Sequence, residues 1–125
     1  MAKAPGSSSA YHASDGVYDS ATWLEAKRVP LDVSAAGNTT IVAAVASRKI
    51  RVLAYAVVCA GAVTVRFRDT DNILLTGIMS FAANGGIAGA YNPLGHFESS
   101  SGLALQITLG GAVQVGGWLV YVEVP

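Results

Sequence analysis

From Val29 to the end of the chain, apolar side chains recur at every second position. Residues 63–67 show this most clearly, because Val63, Val65 and Phe67 are each followed by Thr or Arg. A period of two places such side chains on one face of a β-strand. Turn-forming residues separate the stretches at intervals of about 8–12 residues, a spacing typical of sandwiches and barrels. The pattern predicts an all-β, antiparallel sandwich or barrel of about seven to nine short strands.

The 125 residues suffice for one domain, preceded by an arm of different composition. We predict an N-terminal arm over residues 1–28 and a β-sandwich domain over residues 29–125. The arm is rich in Ser, Ala, Gly and Asp and is expected to be extended, or to contain a short helix. That helix would open with a capping box over residues 22–25 and end by Val29-Pro30. Trp23 and Leu24 would then anchor the arm on the domain or on a neighbouring protein.

Residues 49–60 are predicted to form a long strand, and both of its faces are apolar beyond Arg51. Such a strand is expected to be central in its sheet and covered on both sides. With Gly61 as a turn, we predict that residues 52–65 form a buried hairpin, since a membrane helix needs about 20 apolar residues. Residues 73–82 are predicted as a further strand and residues 87–97 as irregular.

Charge is scarce in this chain. Only 13% of the residues are charged, about half of the usual 25%. The eight basic and eight acidic residues cancel, which argues against extensive disorder and against nucleic-acid binding. So few charges indicate that part of the surface contacts protein, in an oligomer or a larger assembly. No apolar segment follows Lys3, so we expect no secretory signal and a protein made in the cytoplasm with a reduced cysteine.

The basic residues cluster in the middle of the chain, and none occurs after residue 68. Five of the eight fall on two strands that we expect to be neighbours: Arg48, Lys49, Arg51, Arg66 and Arg68. They form either a solvated strand face or a basic patch that contacts an acidic partner surface, including that of an identical subunit.

Groups for catalysis or metal binding are few and far apart in the sequence. His12, His96 and Cys59 are too widely separated for a zinc site, and no nucleophile, base and carboxylate come together in a recognisable motif. Asp69 and Asp71 fall in a polar turn, where aspartates bond to the local backbone. We therefore predict that the protein is not an enzyme and binds no cofactor or metal.

The loop over residues 91–97 combines aromatic, histidine and amide side chains with Pro and Gly. It has two interpretations. In the first, it is a tight crossover between sheets, with Tyr91 and Phe97 packed inward. In the second, Tyr91, Asn92, His96 and Phe97 form an intersubunit contact or a sugar-binding rim.

Several turn and strand motifs carry a family resemblance. They lie at residues 37–45, 49–53, 63–67, 75–77, 83–86, 91–95 and 115–124. In this combination they resemble small structural proteins of tailed bacteriophages, of the head decoration (capsid cement) type. The motifs specify turns and strands and include no catalytic residues.

The resemblance implies a jelly-roll-like sandwich that forms a homotrimer on the outer capsid surface of a virion. There it would bridge subunits of the major capsid protein and stabilise the shell, with Trp23 and Leu24 of the arm as contact residues. It implies no cofactor and no nucleic-acid or membrane partner. The alternative is a β-sandwich binding module of a phage fibre or tail tip that recognises host-surface carbohydrate.

Overall fold

The computed structural model describes residues 16–19 and 22–125, with side chains from Trp23 onward. In this part of the chain all regular structure is β, as predicted. Eleven strands occur there: β1 Gly16–Asp19, β2 Thr22–Glu25, β3 Lys27–Val33, β4 Gly37–Val42, β5 Lys49–Cys59, β6 Val63–Asp69, β7 Met79–Phe81, β8 Gly86–Gly89, β9 Phe97–Glu98, β10 Leu105–Leu109 and β11 Val115–Val124. The described residues include no helix long and apolar enough to span a membrane.

Two antiparallel sheets make up the domain. One has the strand order β3-β11-β5-β8, with β9 also pairing with β5, and the other has the order β4-β10-β6-β7. From β3 to β11 the chain changes sheet at every connection except β6–β7 and β8–β9. Eight strands arranged in this way form a jelly roll, which confirms the predicted sandwich.

The core lies between the inner faces of the two sheets. Alternate residues of β6 and β10 point into it, so Val65, Phe67 and Ile107 are fully buried. Strand β5 is central, as predicted, because it pairs with β11 on one side and with β8 and β9 on the other. Leu119 of β11 is also completely buried between the sheets.

A bulge in β5 creates a second, smaller apolar cluster on the other side of the same sheet. Val120 pairs with Ala54 and Tyr121 pairs with Val52, so Leu53 is the extra residue. Leu53 then packs with Val122 and Val124 of β11 in the second cluster, where all three are at most 2% exposed.

The N-terminal hairpin, formed by β1 and β2, covers this second cluster. Thr22 pairs with Asp19 at its turn, and Leu24 packs on the cluster. The predicted short helix at residues 22–25 is therefore wrong, and the extended alternative holds for the described part of the arm. A helix of one or two turns has few internal hydrogen bonds, whereas this segment gains a strand partner and an apolar surface.

Strand β3 begins at Lys27, two residues before the predicted domain boundary. Three expectations about strands need correction. Residues 52–65 do not form a hairpin, because the β5–β6 turn crosses between the sheets. Of the strand predicted over residues 73–82, only Met79–Phe81 is strand, and Gly86–Gly89 is a strand where irregular structure was expected.

Candidate interaction surfaces

The loop between β8 and β9 is a crossover anchored in the core by one aromatic ring. Phe97 stacks on Phe67 with ring centroids 5.0 Å apart, and it also contacts Tyr55 at 6.0 Å. Its inward packing agrees with the first interpretation of this loop. Tyr91 does not follow that interpretation, because 41% of it is exposed. Partial burial still raises the pKa of the Tyr91 hydroxyl above its ordinary value.

Asn92 and His96 hold this loop in shape. Asn92 Oδ1 accepts a hydrogen bond from the backbone N–H of Leu94, and His96 Nε2 bonds to the carbonyl oxygen of Ala90 at 2.6 Å. The His96 ring also lies edge-on to Tyr55, with centroids 5.3 Å apart. Of the four predicted rim residues, Tyr91 and His96 are exposed, whereas Asn92 and Phe97 are partly buried.

The five clustered basic residues do not form one patch. Arg48, Lys49 and Arg51 lie at the start of β5, whereas Arg66 and Arg68 lie on β6 of the other sheet. The prediction of neighbouring strands is wrong because closeness in sequence here spans a crossing between sheets.

The basic residues near the start of β5 have acceptors within the chain. Arg51 Nε donates to Glu98 Oε1 at 2.9 Å, and Lys49 Nζ lies 3.7 Å from Glu98 Oε2. Arg48 Nη1 donates to the carbonyl oxygen of Glu123 at 3.2 Å. Exposed ion pairs contribute about 0–1 kcal/mol to stability. These interactions therefore link the strand ends but add little to the stability of the fold.

The outer face of the β4-β10-β6-β7 sheet is mostly polar, with Ile78 exposed beside Arg66 and Thr108. Thr108 donates to Asn38 Oδ1 at 2.6 Å, and Gln106 donates to Thr40 Oγ1 at 3.2 Å. Arg66 pairs with Thr108 in the strand register and lies on this same face. Hydroxyl and amide groups that bond to one another and to water suit a face that remains in solvent.

The outer face of the opposite sheet is apolar. Residues paired directly across strands project on the same side, and the register aligns Pro30, Trp118, Ala56 and Ala88 in one row across four strands. The next row contains Gly116, Val58 and Gly86, and Asp32 pairs with Gly116 at its β3 end. We call the seven uncharged residues of these two rows the bare face. Trp118 is 42% exposed there and Val58 56%.

The N-terminal hairpin lies on the same side of the sheet, next to the bare face. It covers Val122 and Val124 at one end of β11, whereas Trp118 remains uncovered. The apolar outer residues of β5 led to the expectation of a strand covered on both sides. Within the described chain, the hairpin provides only part of that cover.

The two predicted arm contacts point in different directions. Leu24 packs on the chain's own second cluster, so it serves the fold. Trp23, the next residue along β2, is 37% exposed. Adjacent residues of a strand project on opposite faces, which explains why the pair is divided in this way.

Groups for metal or thiol chemistry are not assembled in the described chain. Among residues 16–19 and 22–125, no three His, Cys, Asp or Glu side chains come together. Cys59 is fully buried, and burial raises the pKa of its thiol. The thiol therefore packs as a small apolar group. The depression beside Gly110, of about 390 Å³, is shallow and lined by short side chains such as Thr64 and Ser80.

Comparison with known proteins identifies no family for this chain. No family model matches it, and no curated protein matches it. Among solved structures, one similar chain belongs to the Bacillus endospore appendages, which are described as a family of disulfide-linked pili. The two are 14% identical over 81% of this chain and 87% of the other, with a TM-score of 0.46. A similarity this distant carries no argument about function.

Proposed function

We propose that this chain is a non-enzymatic structural protein of a bacteriophage virion, which decorates the capsid and bridges subunits of the major capsid protein. The observation that carries the proposal is the contrast between the two outer faces of the sandwich. One is mostly polar and internally hydrogen-bonded, and the other presents Trp118 and Val58 on a floor of Ala and Gly. The sequence resemblance supplies the virion setting.

A protein contact is the physical reason for such a contrast. Contiguous exposed apolar patches on soluble proteins mark sites of association. Trp is also enriched among the residues that carry most of the binding energy at the centre of interfaces. The polar sheet would face solvent in the assembled particle, while the apolar sheet and the hairpin beside it would face protein.

The exposed side of the N-terminal hairpin is the proposed capsid contact. Trp23 is 37% exposed on that side, while Leu24 packs the hairpin on its own domain. Binding that occurs only in the assembled shell stabilises that shell against disassembly. The residues before Gly16 lie outside the described part of the chain, and the prediction that the arm contacts the capsid extends to them.

The test is co-sedimentation of the purified full chain with capsids from the phage that encodes it. We expect saturable binding and a higher temperature of capsid disruption. Trp23→Ala should weaken binding at unchanged thermal stability of the free protein, and Arg66→Ala on the polar face is the matched control. A folded chain that neither binds capsids nor changes their disruption temperature contradicts the proposal.

The alternative of carbohydrate recognition depends on Tyr91, with its exposed ring, and on the loop tip at Leu94, which is 83% exposed. Screening the chain against host surface polysaccharides tests it. Binding that is lost in Tyr91→Ala and kept in Trp23→Ala would favour a fibre or tail-tip module over the decoration protein.

A further inference from the structure

We propose that the bare face is covered by the same face of a second copy of this chain, in a two-fold symmetric dimer. The axis would run along the row of Pro30, Trp118, Ala56 and Ala88. This inference rests on the proposed function only in taking the bare face as a protein contact, and it names the partner.

The shape of the bare face is suited to packing against another β-sheet. Ala56, Ala88, Gly86 and Gly116 form a low floor from which Trp118 projects. Because Trp118 lies on the proposed axis, it would pack against Trp118 of the second copy. The small side chains around this pair let the two backbones approach, and stacked sheets pack about 10 Å apart. The N-terminal hairpin forms a step at one end of the floor. It therefore restricts a partner sheet to the uncovered half.

Charge specifies the direction of the partner. Arg28 and Asp32 project on the same side of β3 as Pro30, each two residues from it, at about 7 Å along the strand. Rotation about the proposed axis places Arg28 of each copy opposite Asp32 of the other. The same patch thus supplies both halves of two identical ion pairs, as a two-fold interface requires.

Both charges are available for this contact. Among the described residues Arg28 takes part in no ion pair. Asp32 Oδ1 accepts a hydrogen bond from Gln114 Nε2 at 2.6 Å, which positions the carboxylate and leaves its other oxygen for a partner. With the axis parallel to the strands instead, β3 would lie over the uncharged β8 of the other copy, and Arg28 and Asp32 would gain no ion pair across the contact.

A face that contacts its own copy closes after two subunits. The inference therefore predicts a solution mass of twice 12.8 kDa, in place of the three copies that the phage resemblance implies. Light scattering over a range of protein concentrations distinguishes these values. A mass of one or three chains across that range overturns the two-fold contact.

The first variant removes the centre of the interface. Trp118→Ser should yield a monomer that keeps its circular dichroism spectrum, since Trp118 points away from the core. Ile78→Ser is the matched control, because Ile78 is 63% exposed and lies outside the bare face. The proposal is overturned if a folded Trp118→Ser protein remains dimeric, or if Ile78→Ser dissociates the dimer equally.

The second test exchanges the charges and does not depend on removing apolar surface. Arg28→Asp and Asp32→Arg should each weaken the dimer by about tenfold or more, whereas the double variant should recover affinity. A double variant as weak as the sum of the two single variants contradicts the pairing.

Capsid co-sedimentation of the same proteins is measured separately. Capsid binding by a monomeric chain therefore rejects the dimer alone, and a dimer that ignores capsids rejects the decoration function alone.

Discussion

Asp69 joins two loops that lie far apart in the chain. Its Oδ1 accepts hydrogen bonds from the N–H groups of Asp71 and Ile73, and its Oδ2 accepts one from Ser100. The turn role predicted from sequence is confirmed, and the bond to Ser100 extends it to the β9–β10 loop. Burial of Asp69 raises its pKa, but the bonds from Ser100, Asp71 and Ile73 outweigh burial and lower the pKa below 3.8.

We predict that Asp69→Asn lowers the free energy of unfolding at pH 7 by about 2 kcal/mol, because an amide cannot accept all three bonds. Since the folded pKa is depressed, the stabilisation is present above the unfolded pKa of about 3.9. It is lost as pH falls through the folded pKa. Urea unfolding between pH 2 and 7 measures this. The wild type and Asp69→Asn should converge in acid, whereas Asp71→Asn should follow the wild type throughout.

Gly117 is required where β11 passes β5. Its φ is +150°, and a Cβ there would collide with the carbonyl oxygen of Ala56. We predict that Gly117→Ala costs about 3 kcal/mol or more, through overpacking and backbone strain. The neighbouring Gly116→Ala is the control, because its Cβ would lie 3.9 Å from the nearest atom, the carbonyl oxygen of Leu31. Equal melting temperatures for the two variants would refute this reason for Gly117.

At the scale of elements, the N-terminal hairpin is held by one face. Leu24 contacts the cluster of Leu53, Val122 and Val124, and Trp23 is on the opposite side of β2. We predict that Leu24→Ala lowers the unfolding free energy by about 1–2 kcal/mol, through lost burial of a half-buried side chain, and exposes the cluster to a hydrophobic dye. Trp23→Ala should change both much less. Thermal melting and dye fluorescence of the two variants decide this, and a reversed order contradicts the assignment of faces.

Alternation predicted the existence of most strands but could not predict their partners. Val63, Val65 and Phe67 show which side of β6 is buried, and nothing in a period of two identifies the neighbouring strand. The strand Gly86–Gly89 was not predicted because its glycines show no alternation of apolar and polar side chains. A Cβ at Gly86 would collide with the carbonyl oxygen of Val57, so this edge strand requires glycine at this position. Glycine has no side chain that could contribute to an alternating pattern.

The bare face could not be predicted from the sequence, for a related reason. It depends on the register among β3, β11, β5 and β8, which are distant along the chain. The apolar outer side of β5 was the available signal, and it indicated cover without indicating what provides it. The prediction of one basic patch failed for a different reason, because residues that are close in sequence lie on different sheets.

At the scale of the whole molecule, the fold depends on its last strand. Strand β11 lies between β3 and β5, and its residues enter both apolar clusters. We predict that a chain ending at residue 112 does not fold, whereas a chain lacking residues 1–15 does, since both sheets are built from later residues. Circular dichroism and urea titration compare the two. Because the pairings join distant segments, refolding of the full chain should take milliseconds to seconds.

Pro30 limits how such domains can grow into larger bodies. It lies in the middle of β3, an edge strand that pairs only with β11 among the described strands. Proline has no N–H, so the open side of this edge lacks a donor where an incoming strand would need one. Addition of a strand from another chain along this edge, which can lead to fibrils, is therefore disfavoured at the middle of β3.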